Sequence, residues 1–404
     1  MAGSRRTGKA WGPVIVAVVL GISLHGRALA DIRVGAPFAL SGSVAALAQD
    51  MRQGAELAMA QVNQQGGILG QPYRLEFVDT ACDPNKAVQA VTQWAQDPAI
   101  VALVGPVCSG ETLRQASSVS IPAGMVTLSV ASASSLITAL QDKDLVFRTA
   151  PSDDAKGLAM AKVTVEMGIK EIAVSHASDA YNTGVAKVFA TAFRQLGGKV
   201  TVTQVHQPGK PDYSGEAGAV TAGSSALALF AYYGSGGVQY LREVLKGSGM
   251  RHVVGTDGLM SPELATTLEA AQLARVTIVS AAADKEREGY KRWRAFAEAQ
   301  KLKADGPYVA NAYDAAFMMA LAIEAAGSAD RSKVSAGLRA ISGPSGQRIF
   351  PGEFDKARKL LRQGTRINYD GASGPVDFDE AGDISGFFSV SRFANGTWTA
   401  TLVK

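Results

Sequence analysis

The side chains able to do covalent chemistry are present in this chain but are not arranged for it. His176, His206 and His252 stand far apart, and His176 and His206 fall at the ends of strand-like runs with no fixed acid or nucleophile beside them. No G-x-S-x-G turn presents a serine, and no G-x-x-x-x-G-K-[ST] loop is there to cradle a nucleotide phosphate. Gly66-Gly67-Ile68-Leu69-Gly70 is glycine-rich, but it follows a helical stretch and precedes a strand, the reverse of a dinucleotide fingerprint. Gly234-Ser235-Gly236 does follow a strand, yet Gln239 stands where a third glycine belongs, and the run reads as a flexible strand-to-helix turn. Cys82 and Cys108 lie in no C-x-x-C pair and have no histidine near them, a poor set of metal ligands. No constellation argues for catalysis, and the expectation is that the protein is not an enzyme and has no catalytic residue, no cofactor and no metal.

The elements that would position any site alternate regularly. Strand patterns over residues 32–38, 73–78, 101–104 and 125–129 are interleaved with helical stretches. Asp50 is expected to cap a helix that Gly66-Gly67 ends, and Asp83-Pro84 opens another with the acid as cap and the proline in the first turn. The rhythm resumes past residue 150, with strands expected at 172–175, 200–205, 226–232, 252–256 and 276–281 and helices at 184–196 and 238–246. Longer helices are expected at 290–301 and 308–326, then a terminal hairpin around Asn395-Gly396. Repeated strand–helix units imply parallel sheets covered on both faces, which bind ligands beyond the carboxyl ends of their strands.

The N-terminus reads as an address. Arg5, Arg6 and Lys9 precede an apolar run from Val14 to Leu24, and Ala28-Leu29-Ala30 supplies the small residues of a cleavage site. Residues 1–30 are therefore expected to be a secretory signal, cut near Ala30/Asp31, which places the mature protein in the periplasm. Of 404 residues, 374 remain, too many for one compact core. The segment takes four of the 40 basic residues and none of the 36 acidic ones, leaving 36 of each and a formal charge of zero. A neutral chain without runs of lysine or arginine gives no support to a nucleic-acid partner. An even cysteine count in an exported chain favours a disulfide, with two free thiols as the alternative.

Several stretches, taken in order, resemble the leucine/isoleucine/valine-binding family of type I periplasmic binding proteins, the substrate-binding receptors of ABC importers. They are Asp31-Ile32-Arg33-Val34-Gly35 with Leu40-Ser41-Gly42, the runs 54–58 and 62–70, Asp79-Thr80-Ala81-Cys82-Asp83-Pro84, Val107-Cys108-Ser109, Phe147-Arg148-Thr149-Ala150 and Tyr313-Asp314-Ala315. The resemblance covers nearly the whole mature chain. It implies an α/β fold of two doubly wound parallel-sheet lobes joined by three crossovers, a Venus-flytrap. Residues 31–150 with 281–384 would form one lobe, and 151–280 with 385–404 the other. It also implies a Cys82–Cys108 disulfide, a monomer, membrane permease subunits as partners, and an amino acid, branched-chain or otherwise apolar, as ligand.

The site residues follow from the same likeness. Ser109 matches a serine that holds the ligand carboxylate, at a strand-to-helix junction where a plain N-cap serine would also fit. Ala131, Ser132 and Ala133 match a second carboxylate-binding loop, with Ala133 where a threonine is usual, so that its backbone N–H would donate. Asp153, Tyr181 and Tyr233 match cleft residues of the second lobe, Tyr233 having packing as its bland alternative. Asp257 matches the acid that pairs with the ligand's α-ammonium, although as a bare strand-end aspartate it would read as a turn residue. Ala48 falls where a large aromatic usually caps the side-chain pocket, which implies a roomier site unless Leu47 refills it. The same fold holding an aromatic or other organic acid or an amide, and a ligand sensor in place of an uptake receptor, are the alternatives.

Overall fold

The computed structural model describes residues 1–4, 8, 31–261 and 263–403. The expected signal segment therefore lies outside the described residues except for residues 1–4 and 8. Two sheets organise the rest. The first is β1 (Ile32–Phe38), β2 (Tyr73–Asp79), β3 (Ile100–Val104), β4 (Thr127–Ser129) and β5 (Val146–Arg148), in the order β2-β1-β3-β4-β5 and parallel throughout. The second contains β6 (Glu171–Ala177), β7 (Lys199–His206), β8 (Ala226–Phe230), β9 (His252–Thr256) and β10 (Val276–Ala282). A two-stranded pair, β11 (Gln347–Ile349) and β12 (Ile367–Tyr369), stands apart. The last strands, β13 (Phe387–Ala394) and β14 (Thr397–Leu402), return to the second sheet, whose order is β14-β13-β10-β9-β8-β6-β7. Here β13 runs antiparallel to β10, so the end of the chain closes a sheet begun more than 200 residues earlier. Asn395 and Gly396 both take positive φ, 53° and 79°, which a tight hairpin turn of this hand requires.

Local chemistry accounts for most of the helices. Asp83 caps Pro84–Gln96 by accepting from the Asn85 N–H, with the proline where no N–H is needed. Asp50 does not cap as expected. The first helix begins earlier, spans Ala45–Gln64, and carries Asp50 in its interior, where the carboxylate accepts from Lys303. Packing decides that start: the helix lies against Val309–Ala326, and a Cβ at Gly54 would come 2.5 Å from the Val309 carbonyl oxygen. Val309–Ala326 is long and apolar enough to cross a membrane, but it is buried from Val309 through Glu324 in the core of the first lobe. Two helices the sequence reading did not place, Arg331–Ile341 and Phe354–Arg362, complete that lobe.

Two buried ties hold the connecting strands. Arg148, fully buried at the end of β5, donates to both oxygens of Asp383 at 2.5 Å and to the Ser134 carbonyl at 2.9 Å. Thr149 and Asn311 exchange side-chain and backbone hydrogen bonds, anchoring the chain that leaves the first sheet to the core helix. A third tie is covalent. Cys82 and Cys108 form a disulfide, Cα atoms 5.6 Å apart, linking the turn after β2 to the entry of helix Ser109–Gln115. Replacing both cysteines by serine is expected to lower the unfolding free energy by about 3.5 kcal/mol on loop-closure arithmetic. Urea titration of the double variant against the oxidised protein measures it, and a loss near zero would show that the loop is already restrained by its packing.

Candidate ligand cleft

The carboxyl ends of the parallel strands in the two sheets face one another, and the polar residues that follow them meet in the gap. First-lobe residues Val44, Leu47, Met51, Val107, Ser109, Ala131 and Tyr308 line one wall, and second-lobe residues Tyr181, Tyr232, Asp257 and Gly258 the other. The space between them is about 30 Å³, room for roughly one water. The lobes are thus drawn together; at the rim a Cβ on Gly234 would lie 2.8 Å from the Ser43 carbonyl oxygen. The roomier site expected from Ala48 is not found in this closed arrangement. Ala48 is buried in the lobe core, and Leu47 faces the cleft instead. A larger hollow of about 740 Å³ lies beside Leu136, Leu158 and helix Ala180–Gln195, but these two leucines are exposed and the hollow is not at the strand ends.

On the first-lobe wall the polar groups are mostly committed to each other. The Ser109 Oγ accepts from the Ala133 and Ser134 N–H groups, both at 3.2 Å. A hydroxyl oxygen has two lone pairs and one proton, so with both lone pairs engaged Ser109 keeps only its O–H, a donor. The expected donation from the Ala133 N–H toward a ligand is therefore corrected: that group is spent on Ser109. Ser132 is buried as well, its N–H on Ser129 Oγ and its hydroxyl beside Thr112 Oγ1 at 2.8 Å and the Val107 carbonyl. Of the 131–133 loop only Ala131 lines the cavity. Arg148, by gripping the Ser134 carbonyl, holds the loop in this posture.

The second-lobe wall is built around a residue the sequence reading missed. Lys156, fully buried in the first turns of helix Asp153–Glu166, donates to Asp257 Oδ1 at 2.8 Å, to the Tyr308 hydroxyl at 2.8 Å and to the Tyr181 hydroxyl at 3.0 Å. Burial alone would make this ammonium easier to deprotonate, but the Asp257 carboxylate and the neighbouring tyrosine oxygens outweigh it and hold the group charged. Tyr308 reaches across from the first lobe with φ at 61°, a left-handed conformation costly for a bulky residue. Tyr181 stacks on Tyr232, ring centroids 5.6 Å apart, and burial pushes both phenols well above their ordinary range, so each stays a neutral donor. Tyr233, by contrast, turns away from the cleft and bonds Glu263 and Thr267; Tyr232, one residue earlier, takes the cleft position.

Asp153 is also brought near, but behind the wall. Both its oxygens are buried without a hydrogen-bond partner, and Oδ1 lies 3.8 Å from Lys156 Nζ. Burial pushes its carboxyl up to about 7, with Lys156 partly opposing. Because the unfolded chain loses this proton near the usual carboxylate range, the folded state binds more protons between about pH 4 and pH 7, and Asp153 makes stability fall as pH rises through that window. Asp153→Asn should remove up to about 1.4 kcal/mol per pH unit of that decline. Urea unfolding of both forms across the window measures the difference, and parallel stability curves would place the ionised carboxylate in the folded protein throughout.

Comparison with known proteins matches this architecture. The family described as periplasmic binding protein aligns with residues 31–381. A Leu/Ile/Val-binding protein homolog of Brucella melitensis is 29% identical over 393 residues, covering 94% of this chain and 96% of the relative. Among solved structures, a branched-chain amino acid transporter substrate-binding protein of Streptococcus pneumoniae, in complex with isoleucine, superposes with a TM-score of 0.75 at 20% identity, over 93% of this chain and 100% of the other. A solute-binding protein of an R. palustris ABC transporter, in complex with benzoate, does so with a TM-score of 0.75 at 18% identity, over 93% and 96%. With the family aligned across most of its length and the two-lobed fold shared, the chain belongs to the periplasmic binding protein family.

Proposed function

We propose that this protein is an exported receptor of an ABC importer that closes its two lobes on a small carboxylate-bearing solute and delivers it to membrane permease subunits. It would act as a monomer in the periplasm after signal cleavage near Ala30/Asp31. The observation that carries the reading is the Ser109 hydroxyl: a buried cleft donor whose own oxygen is already satisfied by two backbone N–H groups. Such a donor suits an acceptor, and a carboxylate is the strongest acceptor a small solute brings. The apolar side chains Val44, Leu47, Met51 and Val107 beside it suit an aliphatic or aromatic body. Related folds hold isoleucine in one case and benzoate in another, so the likeness supports the carboxylate and leaves the remainder of the ligand to the cleft's own chemistry.

Closure follows from the contacts. Tyr308 and Ser109 stand on one lobe, and Tyr181 and Asp257 on the other, so a ligand touching both favours the closed state through its differential contacts. The cavity of about 30 Å³ means that the lobes must part for a solute to enter. A thermal-shift screen of amino acids, aromatic acids and amides identifies the class, and scattering should show the empty protein expanding relative to the bound form. Ser109→Ala is expected to weaken a carboxylate ligand by about 1.5–3 kcal/mol. It should also lower stability somewhat, since two buried N–H groups lose their acceptor. Unchanged affinity beside that lowered stability would reduce Ser109 to a structural role.

A further inference from the structure

An ammonium already stands directly behind the cleft wall, bonded to three residues that line the cavity. We propose that Lys156 stands in for the α-ammonium of an amino acid, so that the cleft takes a small carboxylic acid with an apolar body and no amino group. The inference rests on the receptor reading above and narrows its ligand.

The first support is hydrogen-bond arithmetic. An ammonium has three N–H donors, and Lys156 meets three acceptors: Asp257 Oδ1, the Tyr308 hydroxyl and the Tyr181 hydroxyl. Those are a carboxylate and two phenols drawn from both lobes, the kind of setting that a buried ligand ammonium would need. The seat is filled from within.

Electrostatics gives the second. Among the described residues Asp257 is the only carboxylate lining the cavity. Asp257 is already neutralised by Lys156, so the ammonium of a zwitterion would find no unpaired carboxylate on the cavity wall to meet it. To receive the ligand's ammonium as well, Asp257 would have to divide its single charge between two cations, with Lys156 on Oδ1 and the ligand on the other oxygen, or release Lys156. The side chain is fully buried, and it sits in the first turns of its helix, where the backbone dipole disfavours positive charge. The one other anion in reach, Asp153 at 3.8 Å, is biased toward its neutral form by burial and is a poor second home. A simple acid brings no second ammonium, and the negative charge that it adds beside Asp257 has hydroxyl donors to meet it. Its carboxylate meets Ser109, and the hydroxyl protons of Tyr181 and Tyr308, whose oxygens face Lys156, remain available to donate.

The apolar lining agrees. Val44, Leu47, Met51 and Val107 on one side and the stacked Tyr181–Tyr232 pair on the other enclose the cavity and bring no further acceptor for a cation from a charged side chain.

Matched ligand pairs on the wild-type protein test the idea without any variant. Leucine is compared with isocaproate, and phenylalanine with phenylpropionate, each pair sharing a skeleton and differing in the amino group; benzoate is added as a ring acid. Calorimetry should show at least one deaminated member binding at least about tenfold tighter than its partner. Equal or tighter binding of the amino acids overturns the role of Lys156 and leaves the receptor reading standing. Binding of neither acid nor amino acid, with binding of the corresponding amide, overturns the carboxylate reading and this inference with it. Lys156→Met supplies the residue-level check: in a variant that still melts cooperatively, the preference should move toward the amino acid by about tenfold or more. An unmoved preference in the folded variant assigns selectivity elsewhere and overturns the proposal.

Discussion

The removal of one lysine ammonium from water governs the rest of the cleft. Lys156 cannot be stable as a cation in an apolar interior unless its hydration is replaced in full. The replacement comes from Asp257 at the end of β9, Tyr181 in the first turn of the helix after β6, and Tyr308 at the start of the first lobe's core helix. Two of the three belong to the lysine's own lobe and the third to the other. If the lobes part as proposed, Tyr308 leaves the ammonium and water can take its place. Hydration of one side chain and the hinge coordinate are thereby coupled, and the left-handed backbone at Tyr308 is the local strain that this contact tolerates.

The opposite wall depends on a second buried cation. Arg148 satisfies Asp383 and the Ser134 carbonyl together, so the loop that feeds N–H groups into Ser109 is fixed from behind by an ion pair between the end of β5 and the segment that precedes β13. Asp314 plays a comparable part deeper in the lobe. Its carboxylate accepts from Tyr369, the Ala372 N–H and both donors of Ser373, which docks the 369–373 segment onto the core helix. Each of these charges is buried with its hydrogen-bond capacity largely met, the condition under which buried charge is tolerated. Asp153 differs from them, with neither of its oxygens partnered.

Much of the architecture was legible because it is written in short-range signals. Asp83-Pro84, Asn395-Gly396 and the alternation that marks the parallel strands act over a few residues, and the structure carries all three. Asp50 misled because a cap is local while the helix start is set by contact with a helix more than 250 residues away. Tyr233 misled by a single position: where a strand gives way to a tight turn, neighbouring side chains point in different directions, and Tyr232 is the one that faces the gap. Lys156 was invisible because an acid and a lysine three apart at a helix start usually sit in water. The trace of its burial was the company it keeps, Gly157, Ala159, Met160 and Ala161, a run too apolar for a solvated face.

The terminal hairpin bears on how the molecule can be made. Strand β10 has no partner on its outer side until β13 arrives, and β13 in turn is covered by β14, which ends two residues before the chain does. The core helix that the first helix packs against is likewise supplied only after residue 309. Neither sheet system can be completed before the late segments are available, since each waits for elements remote in sequence. Such late, long-range closure lengthens the interval spent as an open coil. If the chain is exported unfolded, as the proposed signal would allow, this order of assembly would defer the finished structure to the far side of the membrane.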